Sequence, residues 1–488
     1  MAVVLVALYV IVSAWLSLYG LNLIALSLVY VFHRQRRGEL PPPEDYPDVT
    51  VQLPVFNERY VIERAIDAAA AFDWPRGKLH IQVLDDSTDE TTGLARACAE
   101  YHRAHGIDIL VLHRTDRTGY KAGALQAGLE CSASPFIAIF DADFVPSPDF
   151  LRRMMPGFDR SDVAWVQARW THLNEAYSLF THGIGLPMDA HFSIEQVARD
   201  RGGLTMIFNG SAGVWRRAAI DAAGGWQSDT LTEDVDLSLR AQIAGWRGMM
   251  LPEVTVPSEL PVQIGALKQQ YFRWAKGGAE TLRKLFIPVA QSRMPFWKKV
   301  TALLLLSSYL IPPLVMLLLA TWLPIILHPK WLYGIPTLLI GLATLAVPIE
   351  FLLGQIAIHR GNVRRILYLP VFMVVGTGMA LNSARGVVQG LAGRETEFMR
   401  TPKFKMEGAQ ETWKRSAYVM SADPTAFGEA LMAGYAVFMI VEAWRAGNWA
   451  AMPFLVLYAT GFACVAIGSA VNIRPRGRRS TLRAKVDA

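Results

Sequence analysis

Residues 2–32 run without a single charged side chain. A helix needs about 20 mainly apolar residues to cross a bilayer, so the pattern predicts a membrane span. His33-Arg34-Gln35-Arg36-Arg37 follows it. A cleaved leader carries its positive charges before the apolar run rather than after it. The expectation is a permanent span over residues 1–33, N-terminus outside and Arg36 in the cytosol, then a linker over 34–48 stiffened by Pro41-Pro42-Pro43.

From residue 49 to 299 the pattern changes. Short apolar or β-branched runs at 49–53, 80–84, 109–112 and 136–140 alternate with helical patterns at 60–72, 90–105 and 121–129. Such alternation predicts an α/β domain of parallel strands with crossover helices. Ligands of open sheets sit beyond the carboxyl ends of the strands. Two acidic clusters fall at such ends: Asp85-Asp86 after the second strand and Asp141-Ala142-Asp143 after the fourth.

Apolar segments return at 300–327, 331–358, 366–391, 426–441 and 449–471. If all crossed, the basic tail with Arg476, Arg478, Arg479 and Arg483 would lie outside, as would the loop bearing Arg394, Arg400 and Lys403, against the positive-inside rule. The 366–391 segment is the weakest, interrupted by Asn382, Ser383 and Arg385 and loosened by Gly376 and Gly378. It reads as an interfacial or re-entrant helix. The expected order is then two spans in 300–358, an interfacial helix and loop in 359–425, two spans in 426–472, and a basic cytosolic tail at 473–488. Glu350 falls inside the third span, where an ionisable group is expected to face the bundle interior or a polar conduit, unless the span is shorter and ends before it.

Composition agrees: 52% of residues are hydrophobic and mean hydropathy is +0.24, too apolar for an ordinary soluble enzyme. The net charge of +6 reads as basic cytoplasmic loops, not as nucleic-acid binding. Cys98, Cys131 and Cys464 are far apart and fit neither a disulfide framework nor a metal site. No phosphate-cradling Gly-rich loop and no His-Glu-x-x-His occurs, which argues against an ATPase or a zinc protease.

Asp141 and Asp143, two apart at a strand end, point to one side and can hold Mg²⁺ or Mn²⁺, with a diphosphate supplying other ligands; an Asp-x-Asp is also often a solvated turn. Asp85 and Asp86 can accept hydrogen bonds from a nucleobase or ribose, or merely open the next helix beside Ser87, Thr88 and Asp89. In Thr232-Glu233-Asp234, Thr232 is expected to cap the following helix, while Asp234 is placed to serve as a general base toward a sugar hydroxyl. Gln270, Arg273 and Trp274 share a helix face at i, i+3 and i+4. That face suits a diphosphate beside a sugar ring, or a tryptophan anchored at a membrane interface.

In order and spacing, Leu53-Pro54-Val55-Phe56-Asn57-Glu58, Leu84-Asp85-Asp86-Ser87, Asp141-Ala142-Asp143, Thr232-Glu233-Asp234 and Gln270-x-x-Arg273-Trp274 resemble the processive family-two glycosyltransferases. Tyr120-Lys121-Ala122-Gly123-Ala124, Val166-Gln167-Ala168-Arg169-Trp170, the run from Phe208 to Arg216, and Phe398-Met399-Arg400-Thr401-Pro402-Lys403 extend the likeness, closest to the cellulose-synthase-like mannan and glucan synthases of plants and their bacterial relatives. The resemblance implies a nucleotide-sugar-binding α/β domain of the GT-A type inserted in an α-helical transmembrane bundle, in a bacterial inner membrane with the catalytic domain cytosolic.

It further implies that Phe56, Glu58, Asp85, Asp86, Lys121, Asp141, Gln270 and Arg273 bind the nucleotide-sugar, and that Asp141 and Asp143 hold the metal. Asp234 would be the base. Phe208, Asn209, Gly210, Ser211 and Trp274 would cradle the acceptor, and Thr401, Pro402 and Lys403 would belong to a gating loop. Two departures from cellulose synthase, Phe144 after the Asp-Ala-Asp and Asn209 in place of a cysteine, weigh against cellulose itself. The leading expectation is an inverting β-hexosyltransferase, with UDP-glucose ahead of GDP-mannose as donor, extending and exporting a glycan. The alternative is a glycolipid synthase adding one sugar to ceramide or diacylglycerol. A transporter or structural membrane protein fits the ordered acidic motifs poorly.

Overall fold

The computed structural model describes residues 2–33, 45–327, 337–359, 363–396, 400–406, 418, 423 and 425–471. The basic cluster at 34–37, the three linker prolines, Phe398, Met399 and the basic tail lie outside the described residues.

Among the described residues, a seven-stranded sheet in the order β3-β2-β1-β4-β6-β5-β7 forms the core of an α/β domain. Its strands are β1 (Val49–Val55), β2 (Leu79–Asp85), β3 (Asp108–His113), β4 (Phe136–Ile139), β5 (Val163–His172), β6 (Gly213–Arg216) and β7 (Arg247–Ser258). The first four are parallel, as their alternation with helices predicts. β1, β2 and β4 are buried almost throughout, which is why they read as continuous apolar runs. The sequence pattern did not single out β5 to β7, and one of them departs from the parallel expectation. β6 runs antiparallel to both β4 and β5, and β5 runs parallel to β7.

This topology fixes where a ligand can bind. From β1 the chain builds β2 and β3 to one side, then crosses back so that β4 pairs with the other edge of β1. The order therefore reverses between β1 and β4, opening a crevice at their carboxyl ends. The Phe140 N–H donates to the Gln52 carbonyl (3.1 Å), so Asp141–Asp143 emerge alongside Phe56–Glu58. Because β6 is antiparallel, the residues entering it, Asn209 to Ala212, reach the same edge. The Ala212 N–H bonds the Ile139 carbonyl (2.9 Å).

Helix Ile264–Gln291 lies between this domain and the apolar helices. Gly386 and Gly390 of helix Ala380–Leu391 meet it backbone to backbone: a Cβ would stand 2.8 Å from the Phe272 carbonyl oxygen at the first and 2.5 Å from that of Lys276 at the second. Small residues four apart permit this close approach. The Lys268 ammonium, buried on the same helix, meets Glu429 Oε1 (2.7 Å) and Asp423 Oδ2 (3.0 Å).

Among the described residues four helices are long and apolar enough to cross a membrane: Val3–His33, Phe296–Leu323, Thr425–Arg445 and Trp449–Ala470. Val363–Gly378 and Ala380–Leu391 form a pair bent by 46°, in the segment read from sequence as interfacial or re-entrant. The described apolar part of the third expected span is the shorter helix Leu345–His359. Glu350 on it is buried.

Candidate active site

A cavity of about 330 Å³ opens at the sheet edge where β1 and β4 end. It collects Phe56, Glu58, Asp86, Lys121, Asp141, Asp143, Asn209, Gly210, Asp234, Gln270, Arg273, Trp274, Thr401 and Lys403, residues spread over most of the chain. The carboxylates of Asp141 and Asp143 are each held by a lysine. Lys121 Nζ donates to Asp141 Oδ1 (2.6 Å) and to the Gly210 carbonyl (2.9 Å), and lies 3.7 Å from Glu233. Lys403 Nζ donates to Asp143 Oδ2 (2.7 Å) and to the Glu259 carbonyl (2.9 Å). Two hard carboxylates that each attract a cation form a donor set suited to Mg²⁺ or Mn²⁺.

Asp234 opens helix Glu233–Ile243 and accepts from the Val235 N–H (2.9 Å). Burial, then the neighbouring Glu233, push its carboxyl up to about 7, against the pull of Lys121. Gly210 lies directly above it. A Cβ there would stand 2.8 Å from Asp234 Oδ2, and Gly210 adopts φ +81°, so glycine is needed both for the turn and for the close approach. Glu58 is likewise pushed up to about 7 by burial, although Arg400, 3.4 Å away, opposes this.

Gln270, Arg273 and Trp274 turn one helix face into the cavity. Burial holds the Arg273 guanidinium below its ordinary range. Asp86 forms a two-pronged pair with Arg114, Nε to Oδ1 at 2.8 Å and Nη2 to Oδ2 at 2.6 Å.

Four predicted site residues stand outside the cavity lining. Asp85 turns away because consecutive strand residues face opposite sides. It accepts from Thr92 Oγ1 (2.7 Å) and the Ser87 N–H (3.0 Å) and meets His113 Nδ1 (2.8 Å). Phe208 packs its ring edge-on against Trp215 in the core. Ser211 accepts from the Asp141 N–H (2.9 Å), bracing the acidic turn from behind. Pro402 is absent from the lining, although its neighbours Thr401 and Lys403 reach in. Thr232 does not cap its helix through its side chain; the hydroxyl meets Thr281 Oγ1 (3.1 Å) instead.

Sequence reasoning missed several lining residues. The Arg117 guanidinium lies 3.3 Å from the centre of the Phe56 ring, a cation–π contact at the cavity wall. His191 and Tyr309 also line it, from an irregular helix and from an apolar segment whose periodicity gave no sign of a site.

Residues 47–277 match the family described as Glycosyltransferase like family 2. The rice (Oryza sativa subsp. japonica) protein named glucomannan 4-beta-mannosyltransferase 1 is 33% identical over 461 residues, covering 88% of this chain and 84% of that protein. The chain belongs to the family-two glycosyltransferases, and to their processive, cellulose-synthase-like branch. The rice probable glucomannan 4-beta-mannosyltransferase 7 is 44% identical over 250 residues, 50% of this glycosyltransferase and 43% of the relative. Among solved structures, the mannosyltransferase PcManGT from Pyrobaculum calidifontis, in complex with GDP-Man and Mn²⁺, matches with a TM-score of 0.55 at 21% identity, covering 79% of this chain and all of that one. That likeness shows the fold, a GT-A-type domain.

Proposed function

We propose that this glycosyltransferase moves a hexose from a nucleotide-sugar to a hydroxyl of a growing β-glycan, with inversion at the anomeric carbon. The relatives' names weigh toward mannose, with GDP-mannose as donor, over the glucose expected from sequence. One observation carries the reading: Asp141, Asp143, Asp234 and the Gln270–Arg273–Trp274 face share a single cavity.

The Phe56–Arg117 pair and Asp86 suit the nucleoside, and Lys121 and Arg273 suit the diphosphate. A divalent ion held by Asp141 and Asp143 would supply charge neutralisation for the departing diphosphate. Trp274 offers a flat apolar face to a sugar ring, and Asp234 takes the proton of the attacking hydroxyl, whose approach opposite the leaving group inverts the centre. Arg400, Thr401 and Lys403 close over the donor side. Ile184, Leu260 and Leu267 of the lining pack with Val375, Met379 and Val465 of the apolar helices, and the relatives' names, which specify a polysaccharide, weigh toward a growing chain over a lipid.

Purified protein offered a panel of nucleotide-sugars should release GDP from GDP-mannose and build a ladder of oligosaccharides. Release from UDP-glucose alone would reassign the donor, a single glycolipid product would reassign the acceptor, and no release from any donor would refute the reading.

A further inference from the structure

One wall of the cavity carries polar groups that the proposed chemistry does not use. Helix Leu179–Ala190 continues through a π-helical turn, His191–Glu195, into helix Gln196–Arg201. Such turns are rare and recur at functional sites because they re-aim side chains. Here the turn sets His191 on the cavity wall and Gln196 behind it.

Between them they grip Asn209. Gln196 Nε2 donates to Asn209 Oδ1 (2.6 Å), and Asn209 Nδ2 lies 2.9 Å from His191 Nε2. With the amide oxygen already accepting, the amide nitrogen must donate, so His191 Nε2 carries the lone pair and Nδ1 the proton. Nδ1 faces Glu195 Oε2 at 3.7 Å, and Arg199 approaches the same oxygen at 3.9 Å. Burial disfavours the Glu195 charge, yet His191 and Arg199 outweigh it and hold this carboxyl below its ordinary range. Glu350, buried on the apolar helix Thr337–His359 that packs against this turn, also helps hold the Glu195 carboxyl down, and its own Oε1 is buried without a hydrogen-bond partner among the described residues. The next residue after Asn209 is Gly210, whose backbone abuts Asp234.

We infer that Glu350, Glu195 and His191 form a positioning relay that runs from an apolar helix to the acceptor wall. It fixes the Asn209 amide and, through it, the Asn209–Gly210 backbone against the base. The inference rests on the reading of Asp234 as the group that acts on the acceptor. The one donor-side group the relay meets is Lys121, whose Nζ donates to the Gly210 carbonyl (2.9 Å), so its loss should affect acceptor use more than donor use.

The test uses the full-length protein in lipid nanodiscs, with a soluble β-1,4-mannan oligosaccharide as acceptor probe. Losing one buried hydrogen bond, about 1–1.5 kcal/mol, should raise the acceptor KM of His191→Ala roughly tenfold, with a much smaller change in donor KM. His191→Gln, which can still accept from Asn209, should recover most of the loss. Glu350→Leu should behave like His191→Ala, while Glu350→Gln, able to donate to Glu195, should not. Equal changes in donor and acceptor constants, or wild-type acceptor use in both His191→Ala and Glu350→Leu, would overturn the relay. Failure of the wild-type protein to transfer any sugar would instead overturn the transferase reading beneath it.

Discussion

Burial distinguishes Asp234 from the many aspartates that open helices at a protein surface. An exposed aspartate in a first helical turn is favoured as the anion by the helix dipole; here the cavity reverses that preference, and the carboxyl is pushed up to about 7. A base acts only when deprotonated, so kcat/KM should fall as pH drops below about 7, approaching tenfold per pH unit. A pH–rate profile flat down to pH values near 5 would contradict this. Gly210 tests the same geometry from the other side. A methyl group 2.8 Å from Asp234 Oδ2 must displace the base or the backbone, and a shift of about 1 Å lowers turnover by roughly a hundredfold. Gly210→Ala should lose turnover on that scale while binding nucleotide as before; isothermal titration beside initial rates separates the two. At this scale the sequence was informative wherever a motif presents polar groups at a strand end. It did not foresee that Asp85 faces away from the cavity, where strand alternation decides between two adjacent aspartates, or that Phe208 and Ser211 stand behind the lining.

Helix Ile264–Gln291 is the element on which the site depends most. Its Gln270–Arg273–Trp274 face was legible as i, i+3, i+4 spacing, but what holds it was not. Lys268 is buried against Glu429 and Asp423, which lie far away in sequence, and Gly386 and Gly390 fit the helix only once the chain is folded. Removing one partner of a buried ion pair leaves an uncompensated charge and typically costs about 3–5 kcal/mol. Lys268→Ala should therefore lower thermal stability in detergent sharply, and adding Glu429→Ala should recover part of the loss. Strict additivity of the two would show that the pair is not coupled. Strands β1, β2 and β4 were legible because parallel strands buried on both faces read as apolar runs, and the half-exposed edge strand β3 by its own short apolar run at 109–112. β5 to β7 were not, because Trp, Arg, Gln and Pro interrupt their patterns and their pairing depends on a reversal in the sheet that no local pattern encodes.

For the whole molecule, an α/β sheet domain and the apolar helices share the helix that borders the candidate active site. The apolar segments were legible by length and charge, and a bent pair stands where the sequence suggested an interfacial or re-entrant helix. Sidedness was argued from arginines at 34–37 and 474–483, outside the described residues. Lys121 and Lys403 each form an ion pair with one of the two carboxylates, Asp141 and Asp143. Excess chelator should therefore leave the fold intact, by circular dichroism, while abolishing transfer, and Mn²⁺ or Mg²⁺ should restore it. Transfer that persists in chelator would exclude the assigned metal role. The central claim is that a buried carboxylate at position 234 takes the proton of the incoming hydroxyl. Its most direct measurement compares Asp234→Asn with the wild type for donor affinity and for sugar transfer in the same preparation. Unchanged donor binding with transfer reduced to background is the predicted result; transfer at the wild-type rate would contradict it.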